Sequence, residues 1–281
     1  MADTKEDALV KTTQNYYDST DADNFYFNIW GGEDIHVGIY DREDITIREA
    51  SHQTVKLMAD MLQNLNSDAE VLDIGAGYGG AGRFLAKTYG CKVVCQNLSE
   101  TQNARNREMN KAQGLEDKIE VIGGNFEDLP LEDGRFDIVW CEDSILHSGR
   151  RKKVLEEVFR VLKTGGEFIF TDPMKKHGVP NEDIRPILNR IHLDSLGSFE
   201  FYQEAANEVG FETVAIKDLS EHLGNHYAAV AKNLNGRYDE VVKVSSKEYV
   251  DNMLKGLDYW VEGNQAGNLT WGILHFRKPK G

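Results

Sequence analysis

The sequence lacks the features of secreted, disulfide-bonded and membrane proteins. Its 281 residues include three cysteines, an odd number without metal-ligand spacing, so Cys91, Cys95 and Cys141 are expected to be core thiols. No apolar run approaches the ~18 residues that a membrane span requires. The first residues, MADTKEDALV, have neither the basic nor the apolar region of a signal peptide. We therefore expect a soluble protein of a reducing compartment, most simply the cytoplasm, without a membrane partner.

Basic residues are scarce relative to acidic ones. Lysine and arginine total 32 against 47 aspartates and glutamates, which gives a formal net charge of −15. Such a surface repels phosphate groups, which argues against a nucleic acid as the main partner. The acidity has two interpretations, ordinary solubility or adaptation to a salty or osmolyte-rich cell, and the charge alone does not separate them.

Short apolar runs alternate with helical patterns through the middle of the chain. Strands are predicted at 70–75, 92–97, 118–124, 136–143, 167–173 (stopped by Pro173), 212–219 and 270–279, with one helix over 150–166. Such alternation predicts a mostly parallel, Rossmann-like α/β sheet of seven strands with helices on both faces. Helices within about 175–265, inserted before the last strand, are expected to cover the carboxyl edge of the sheet, where ligands bind.

Residues 1–65 precede this alternation and form a predicted N-terminal arm, with residues 66–281 as the second unit. Apolar residues at helical spacing predict a helix over 47–65. Before it lies FNIWGGEDIHVGIY (27–40), whose glycines argue against a helix and whose polarity argues against a buried strand. Together with YYDSTDADNFYF (16–27), this segment is rich in aromatic residues, which predicts that the arm faces a ligand.

The first predicted strand ends in a glycine-rich turn, VLDIGAGYGG (71–80). Gly75 and Gly77 permit a tight turn and close approach of a ligand to the backbone. Alone, the turn fits a nicotinamide dinucleotide, S-adenosylmethionine or mere packing. The G-x-G-x-G spacing and Asp73, a carboxylate placed where it could meet an ammonium group, favour S-adenosylmethionine.

Residues of about 70–172 resemble the class I S-adenosylmethionine-dependent methyltransferases. The motifs are this turn, GGNFEDLPLEDGRFDIVWCEDSILH (123–147) and VLKTGGEFIFTD (161–172). The resemblance implies S-adenosylmethionine as cofactor, S-adenosylhomocysteine as product and no metal. The implied cofactor-binding residues are His36, Val37, Asp73, Gly75, Ala76, Gly77, Asn97, Leu98, Gln102, Asn125, Phe126 and Glu142.

Asn97 departs from the common pattern, because most relatives carry Asp or Glu at the end of the second strand. The sequence is similar here to the branch of cyclopropane-fatty-acid synthases, tocopherol methyltransferases and small-amine N-methyltransferases. In that branch a neutral residue and a glutamine five positions on, here Gln102, bind the ribose; a helix cap at Ser99 is the alternative. Its H-x-G element, here beginning at His36, closes over the methionine carboxylate. Phe126 is expected to stack on adenine beside a bonding Asn125, or else to belong to the core.

Over nearly the whole chain the sequence resembles the betaine-forming sarcosine/dimethylglycine N-methyltransferases. FYFNIWGGEDIHVGIY, LDIGAGYGGAGRFLA, CQNLSETQN and FTDPM carry this resemblance. It implies methyl transfer to sarcosine and N,N-dimethylglycine, which gives the osmolyte glycine betaine. In related phosphobase methyltransferases a histidine at the position of His147 lies by the transferring methyl, so His147 is the expected catalytic residue; alternatively it is only a satisfied polar group.

The expected substrate site combines aromatic and apolar residues. Tyr26 and Trp30 can hold a methylated ammonium by cation–π contacts of roughly 0.5–2 kcal/mol each, or alternatively anchor the arm on the core. Pro173 and Met174, which follow the fifth strand, are implied by the resemblance to form an apolar wall for N-methyl groups. Pro173 alternatively only ends the strand.

The acceptor's carboxylate requires a cation, and Arg42 is the first expectation because it lies close to the arm in sequence. Lys175, Arg185 and Arg190 are further candidates. No Ser-His-Asp set suggests a protein nucleophile, and none is required for displacement at a sulfonium methyl. Other interpretations stay open: a phosphobase, lipid or prenylated-ring acceptor, a nicotinamide oxidoreductase, or a non-catalytic binding module. An oligomer is compatible with all of them.

Overall fold

A seven-stranded sheet forms the centre of the computed structural model, which describes residues 5–280. Its strands are β1 (Glu70–Ile74), β2 (Lys92–Asn97), β3 (Ile119–Gly123), β4 (Phe136–Glu142), β5 (Leu162–Lys175), β6 (Glu212–Asp218) and β7 (Leu269–Arg277). Their order across the sheet is β3-β2-β1-β4-β5-β7-β6. All neighbouring pairs are parallel except those of β7, which runs antiparallel to β5 and β6. This arrangement confirms the predicted mostly parallel, Rossmann-like α/β sheet.

Helices cover both faces and the carboxyl edge of this sheet. They are α1 (Lys5–Tyr17), α2 (Thr20–Phe25), α3 (Ile47–Met61), α4 (Gly80–Tyr89), α5 (Glu100–Ala112), α6 (Arg151–Val161), α7 (Arg185–Arg190), α8 (Phe199–Val209), α9 (Glu221–Gly236), α10 (Tyr238–Val241) and α11 (Lys247–Gln265). Within residues 5–280, none of them is long and apolar enough to cross a membrane. The three cysteines are free and buried, as predicted.

The hydrophobic core has three parts. On one face of the sheet, α6 and α8 pack on Phe168 and Phe170 of β5. On the other face, α3 and α4 pack near Ile169, which points the opposite way because side chains alternate along a strand. The third part joins α2, α7, α9 and α11 to Leu146 and Trp271 at the carboxyl edge. The predicted helical insertion before the last strand is thereby confirmed.

Helix α6 is shorter than predicted, because it ends at Val161 rather than at the glycine pair of 165–166. Leu162 leaves the helix with an extended ψ of 138°. Its side chain is fully buried, and its backbone lies beside Phe136 of β4. Burial and strand pairing outweigh the helical pattern here, so the following residues join β5.

The prediction that Pro173 stops the fifth strand is wrong, since β5 continues to Lys175. Lys175 donates its N–H to Gly197 O, away from β7. Backbone direction repeats every two residues, so the nitrogen of Pro173 points to the same side. The pairing of β4 with β5 ends at Thr171. A proline is tolerated there because its missing N–H costs no bond of the ladder.

The prediction of no helix in residues 27–40 is partly wrong. Helix α2, capped by the hydroxyl of Ser19, continues into a π-helical turn over Tyr26–Trp30, and irregular backbone begins only at Gly31. The turn buries Ile29 and Trp30 in the third part of the core. The predicted helix over 47–65 ends earlier, at Met61. The division of the chain at about residue 65 stays a prediction, and α3 packs on both α4 and α9.

A buried carboxylate ties the end of the arm to the sheet. Glu167 of β5 is fully buried and accepts the backbone N–H groups of Gln63 (3.0 Å) and Asn64 (2.7 Å). Its other oxygen contacts His275 Nε2 (3.0 Å) and Arg277 Nη2 (3.3 Å) of β7. Burial alone raises the pKa of Glu167, but the hydrogen bonds from His275 and from the backbone outweigh it and lower the pKa.

Replacing Glu167 by Ala should lower the free energy of unfolding by about 3 kcal/mol, because it leaves several buried donors unpaired. Urea denaturation followed by circular dichroism measures this change. The control is Glu208→Ala, which removes an exposed pair with Lys152 and should leave the free energy of unfolding nearly unchanged. Equal losses in the two variants would contradict the anchoring role of Glu167.

Candidate active site

Two adjoining cavities lie at the carboxyl edge of the sheet. The first cavity begins at the glycine-rich turn after β1 and extends across the ends of β2 and β4. Because the carboxyl ends of parallel strands share one edge, side chains distant in sequence meet there. Every residue predicted to bind the cofactor except Val37 lines this cavity: His36, Asp73, Gly75, Ala76, Gly77, Asn97, Leu98, Gln102, Asn125, Phe126 and Glu142.

The second cavity lies between the arm, α7, α9 and α11, and Tyr26, Trp30 and Pro173 line it as predicted for a substrate site. Val37 faces this second cavity rather than the first. His147 lines both cavities. The structure therefore brings most of the predicted residues together, in two compartments.

Met174 and Arg42 do not reach either cavity, contrary to the prediction of substrate contact. Met174 is fully buried in the core on the face of α6 and α8, because it follows Pro173 directly and alternation turns it the other way. Arg42 lies on the surface, where its guanidinium contacts Asp44 (3.3 Å) and Glu49 (3.1 Å). The capping box of α3 holds Glu49, which explains the direction of Arg42.

The glycine-rich turn packs too closely against its surroundings to accept a side chain at Gly75. Gly75 has a φ of +71°, in the left-handed region that favours glycine. A Cβ on Gly75 would lie 2.5 Å from the side chain of Ser144, which bridges to β4 by donating to Gly75 O (3.2 Å). Glycine at this position therefore lets the turn pack directly against Ser144 in the lining of the first cavity.

Asn97 and Gln102 act together at the end of β2. Asn97 Nδ2 donates to Gln102 Oε1 (2.9 Å), and both side chains are buried against the first cavity. Ser99 caps α5 by accepting the N–H of Gln102 (3.2 Å), so the cap and the side-chain pair exist together. A pair of amides at this place can bind hydroxyl groups as both donor and acceptor.

The first cavity is acidic, which suits a cationic ligand. Burial raises the pKa of Asp73 well above its usual value, and the charges of Glu142 and Asp34 raise it further. Arg83, the nearby base, pairs with Glu33 instead (2.8 Å). Asp34 Oδ1 is a buried atom without a hydrogen-bond partner among the described residues. An ammonium or sulfonium group in the cavity would compensate these carboxylates.

His36 and Glu142 form an enclosed pair, with 3.3 Å between Nε2 and Oε1. Burial raises the pKa of Glu142 to about 7. Burial lowers the pKa of His36, but the carboxylates of Glu142 and Asp34 outweigh it and the pKa is raised. When both groups are ionised, the pair therefore adds no net negative charge to the cavity. The carboxylates that remain to attract a cationic ligand are those of Asp34 and Asp73.

Two histidines of α9 hold the backbone after His36. Gly38 donates its N–H to His226 Nδ1 and Tyr40 donates its N–H to His222 Nδ1, both at 3.1 Å. Gly38 is needed because a Cβ there would lie 2.5 Å from the backbone of Ala50 in α3. The arm is thus fixed between α3 and α9, with Val37 directed inward.

Tyr17, Asp143 and His147 lie in the wall shared by the two cavities, which Thr13 and Ile35 complete. Tyr17 Oη and His147 Nε2 are hydrogen-bonded at 3.1 Å. Burial, together with the charge of Arg151, lowers the pKa of His147 to about 4, so its imidazole is neutral at pH 7. Burial raises the pKa of Tyr17, so the phenol is neutral too. This wall offers a neutral hydrogen-bonding pair beside a carboxylate.

The helical turn that carries His147 is held from both sides. Leu146 donates its N–H to Asp172 Oδ1 (2.9 Å), and Arg151 Nη2 donates to Leu146 O (2.9 Å). Tyr202 Oη donates to the other oxygen of Asp172 (2.6 Å). Burial raises the pKa of Asp172 to about 7. These bonds fix the imidazole in the shared wall.

Asp143 has a strained backbone, with a φ of +48° that residues other than glycine rarely adopt. Its Oδ2 accepts the N–H of Val37 (2.7 Å), and its Oδ1 accepts the Nε1–H of Trp271 in β7 (2.8 Å). Such strain persists only where the surroundings enforce it, and it is often found at functional sites. Asp143 therefore ties the arm to the sheet at the point where the cavities meet.

Sequence reasoning missed Tyr17 and Asp143, although signals existed for both. Tyr17 belongs to the aromatic run YYDST, but nothing in the sequence says which of its rings points inward. Asp143 follows Glu142 at the end of a predicted strand, the usual place for ligand contacts in such a sheet. The sequence pattern itself does not distinguish Asp143 from the neighbouring carboxylate of Glu142.

The position of Trp30 agrees with both of its predicted roles, substrate contact and anchoring of the arm on the core. Its ring packs on Phe25 and Tyr227, with centroids 5.9 and 5.5 Å away, so it anchors the arm in the core. It also lines the second cavity, with Tyr26 beside it at 5.4 Å. The ring is 6% exposed. One aromatic cluster thus both closes the arm and faces the cavity.

Comparison with known proteins gives consistent results. A family model described as a methyltransferase domain matches residues 72–170. The chain is 50% identical to the sarcosine/dimethylglycine N-methyltransferase of Aphanothece halophytica, over 98% of this chain and 100% of that protein. It is 49% identical to the enzyme of the same name from Halorhodospira halochloris, over 99% and 100%. A crystal structure from Galdieria sulphuraria, assigned as a sarcosine dimethylglycine methyltransferase, aligns with a TM-score of 0.90 at 44% identity, covering 95% of this chain and 100% of that one.

Replacing Asp143 by Asn should loosen the arm. Asparagine tolerates the left-handed backbone, but its single amide oxygen cannot accept from both Val37 and Trp271. A lost bond to a buried carboxylate costs about 1.5–3 kcal/mol, so hydrogen exchange of residues 36–40 should accelerate by about 10-fold or more. Mass spectrometry of exchange measures it, with the exposed Asp133→Asn as control. Unchanged exchange rates of residues 36–40 would contradict the role of Asp143 in holding the arm.

Proposed function

The chain belongs to the sarcosine/dimethylglycine N-methyltransferase family, and we propose that it transfers methyl groups from S-adenosylmethionine to sarcosine and N,N-dimethylglycine, giving glycine betaine. The observation that carries this proposal is the shared wall of Tyr17, Asp143 and His147 between an acidic cavity and an aromatic one. A donor in the first cavity and an amine in the second would meet only across this wall.

The first cavity fits S-adenosylmethionine, which supplies an electrophilic methyl group on a positively charged sulfur. Asp73 and Asp34 are carboxylates suited to its ammonium group. Asn97 and Gln102 are suited to the ribose hydroxyls, in place of the acid that most relatives carry. Phe126 lines the same cavity and is suited to stack on adenine. We therefore assign donor binding to these residues, with His36 covering the methionine end.

The second cavity suits an amine that already carries methyl groups. Tyr26 and Trp30 present aromatic faces, and Pro173 adds an apolar surface. Aromatic faces hold a cation whose charge is shielded by methyls, each contributing roughly 0.5–2 kcal/mol when desolvated. Sarcosine, dimethylglycine and betaine carry one, two and three such methyl groups, so the same rings serve both transfers.

Asp143 is placed to stabilise the charge that crosses the wall. In each transfer the N–C bond forms as the C–S bond breaks, so one positive charge passes from the first cavity to the second. The carboxylate of Asp143 borders both cavities and lies close to this charge throughout. Holding nitrogen, methyl and sulfur in line can contribute on the order of 7–11 kcal/mol at best.

His147 and Tyr17 orient the amine. The nitrogen must lose its proton before it attacks, and that proton finally reaches solvent. A pKa of about 4 for His147 is too low for the imidazole to keep the proton at neutral pH. The neutral pair with Tyr17 instead accepts a hydrogen bond from the amine and so orients it, and the proton leaves for solvent before the attack.

The acidic surface, with a formal net charge of −15, is compatible with a cytoplasmic enzyme in a cell that accumulates an osmolyte. We propose that the arm covers the reacting groups, since His36, Val37 and Trp30 contribute to one cavity or the other.

The alternative function is methyl transfer to a phosphobase, a lipid or a prenylated ring.

An assay with methyl-labelled S-adenosylmethionine tests the function directly. Glycine, sarcosine, dimethylglycine, phosphoethanolamine and a prenylated phenol are offered separately. We expect turnover of sarcosine and dimethylglycine, with betaine as the end product identified by mass spectrometry. Transfer to phosphoethanolamine or the phenol, but to neither methylated glycine, would overturn the proposed acceptor and keep the donor.

Replacing His147 by Asn should lower kcat by about 100-fold without changing the shape of its pH dependence. The imidazole stays neutral from about pH 6 to about pH 9, so the rise in rate over this range comes from the amine. Tyr17→Phe should act in the same direction. The opposite result would be an inflection between about pH 6 and pH 7 in the profiles of the wild type and of Tyr17→Phe that is absent from the profile of His147→Asn. That result would show that the imidazole itself titrates as the base.

A further inference from the structure

One arginine in the second cavity has no carboxylate partner. Arg190, the last residue of α7, lines the cavity and forms no ion pair with any residue of 5–280. Its Nε is buried without a hydrogen-bond partner in this range, and its Nη2 donates to the sulfur of Met253, at 3.6 Å, while the side chain of Tyr16 also interacts with the guanidinium. A guanidinium this enclosed ordinarily pairs with an anion.

The other cations near the arm are already engaged. Arg42 pairs with Glu49 on the surface, and Arg185 pairs with Glu182 (3.1 Å). Lys175 donates to Val179 O (3.0 Å) and to Asn181 Oδ1 (2.9 Å). Of these candidates, only Arg190 lines the second cavity.

Tyr16, Tyr26 and Trp30 line the second cavity together with Arg190. The guanidinium lies over the ring of Tyr16 at 5.8 Å, and Tyr16 Oη is 3.3 Å from Tyr26 Oη and 3.1 Å from Tyr249 Oη. Trp30 Nε1–H, also on this cavity, is buried without a partner among the described residues. An oxyanion in this cavity would supply an acceptor for Arg190 Nε and Trp30 Nε1, two donors without a partner among the described residues.

Gly256 of α11 makes room for this arginine. A Cβ at Gly256 would lie 2.9 Å from Arg190 Nε and 3.3 Å from its Cδ. Since these atoms belong to a flexible side chain, a methyl group there would displace the arginine rather than the helix. Gly256 therefore sets where the guanidinium sits.

We propose that Arg190, positioned by Gly256 and assisted by Trp30 Nε1, binds the carboxylate of the acceptor. The methylated amine then lies against the ring faces of Tyr26 and Trp30, beside the wall of Tyr17 and His147. This inference rests on the proposed function, since it deepens the description of the same substrate. If Arg190 binds the carboxylate, the second cavity contacts both the amine and the carboxylate of the acceptor. It therefore selects amines that also carry an anionic group. The planar fork of arginine matches a carboxylate in two-bond geometry, which lysine does not reproduce.

The first test is Arg190→Gln compared with Arg190→Lys. We expect kcat/KM for dimethylglycine to fall about 100-fold or more in the glutamine variant and less in the lysine variant, with unchanged calorimetric affinity for S-adenosylhomocysteine. The preference for dimethylglycine over N,N-dimethylethanolamine, which has no carboxylate, should collapse. An unchanged preference in Arg190→Gln would overturn the proposal.

The second test uses a pair of helical glycines. Gly256→Ala should raise KM for dimethylglycine about 10-fold or more with little change in melting temperature. Gly236→Ala, in α9, is the matched control, because a Cβ there meets nothing within 4 Å. An equal KM in both variants would contradict the positioning role of Gly256.

Direct binding separates this inference from the proposed function. Glycine betaine is titrated calorimetrically into the enzyme saturated with S-adenosylhomocysteine, which requires no methyl transfer. Loss of betaine binding in Arg190→Gln supports the carboxylate site, even if the wild-type enzyme proves to methylate another amine. Betaine binding that is equal in wild type and Arg190→Gln overturns it, even if the wild type turns over dimethylglycine.

Discussion

The carboxylate of Asp143 is the constraint on which the site depends. It joins three parts of the chain that are distant in sequence: the arm through Val37, the end of β4 through its own backbone, and β7 through Trp271. The strained φ of +48° is the cost of this connection. Without the connection, two cavities would not share one wall, since the arm supplies a side of each.

The hydrophobic core at the carboxyl edge of the sheet stabilises that connection. The third part of the core packs the π-helical turn of Tyr26–Trp30 against α9 and α11, and so covers the carboxyl edge of the sheet. Helix α1 is different, because none of its residues is fully buried, although Tyr17 borders both cavities. The arm thus combines a firmly packed part with an outer helix that is held by few apolar contacts.

The sheet and the first cavity were largely predictable, because short continuous apolar runs, glycine turns and strand-end polar residues act locally. The second cavity was less predictable. Pro173 and Met174 are adjacent, yet the pleat directs only Pro173 inward. Arg190 could not be chosen over Arg42 without knowing that Glu49 engages the latter and that Gly256 accommodates the former. Such facts depend on tertiary packing, which no short window of sequence contains.

The two imidazoles that hold the arm couple its closure to proton concentration. Because His226 and His222 each accept a backbone N–H at Nδ1, their single proton must reside on Nε2, and a doubly protonated ring cannot make the same bond. Burial lowers the pKa of both, that of His226 to about 3. Their contribution is therefore complete above the ordinary histidine pKa of about 6.5 and declines as the pH falls below it. Acid would thus weaken the two hydrogen bonds by which α9 holds the backbone of the arm.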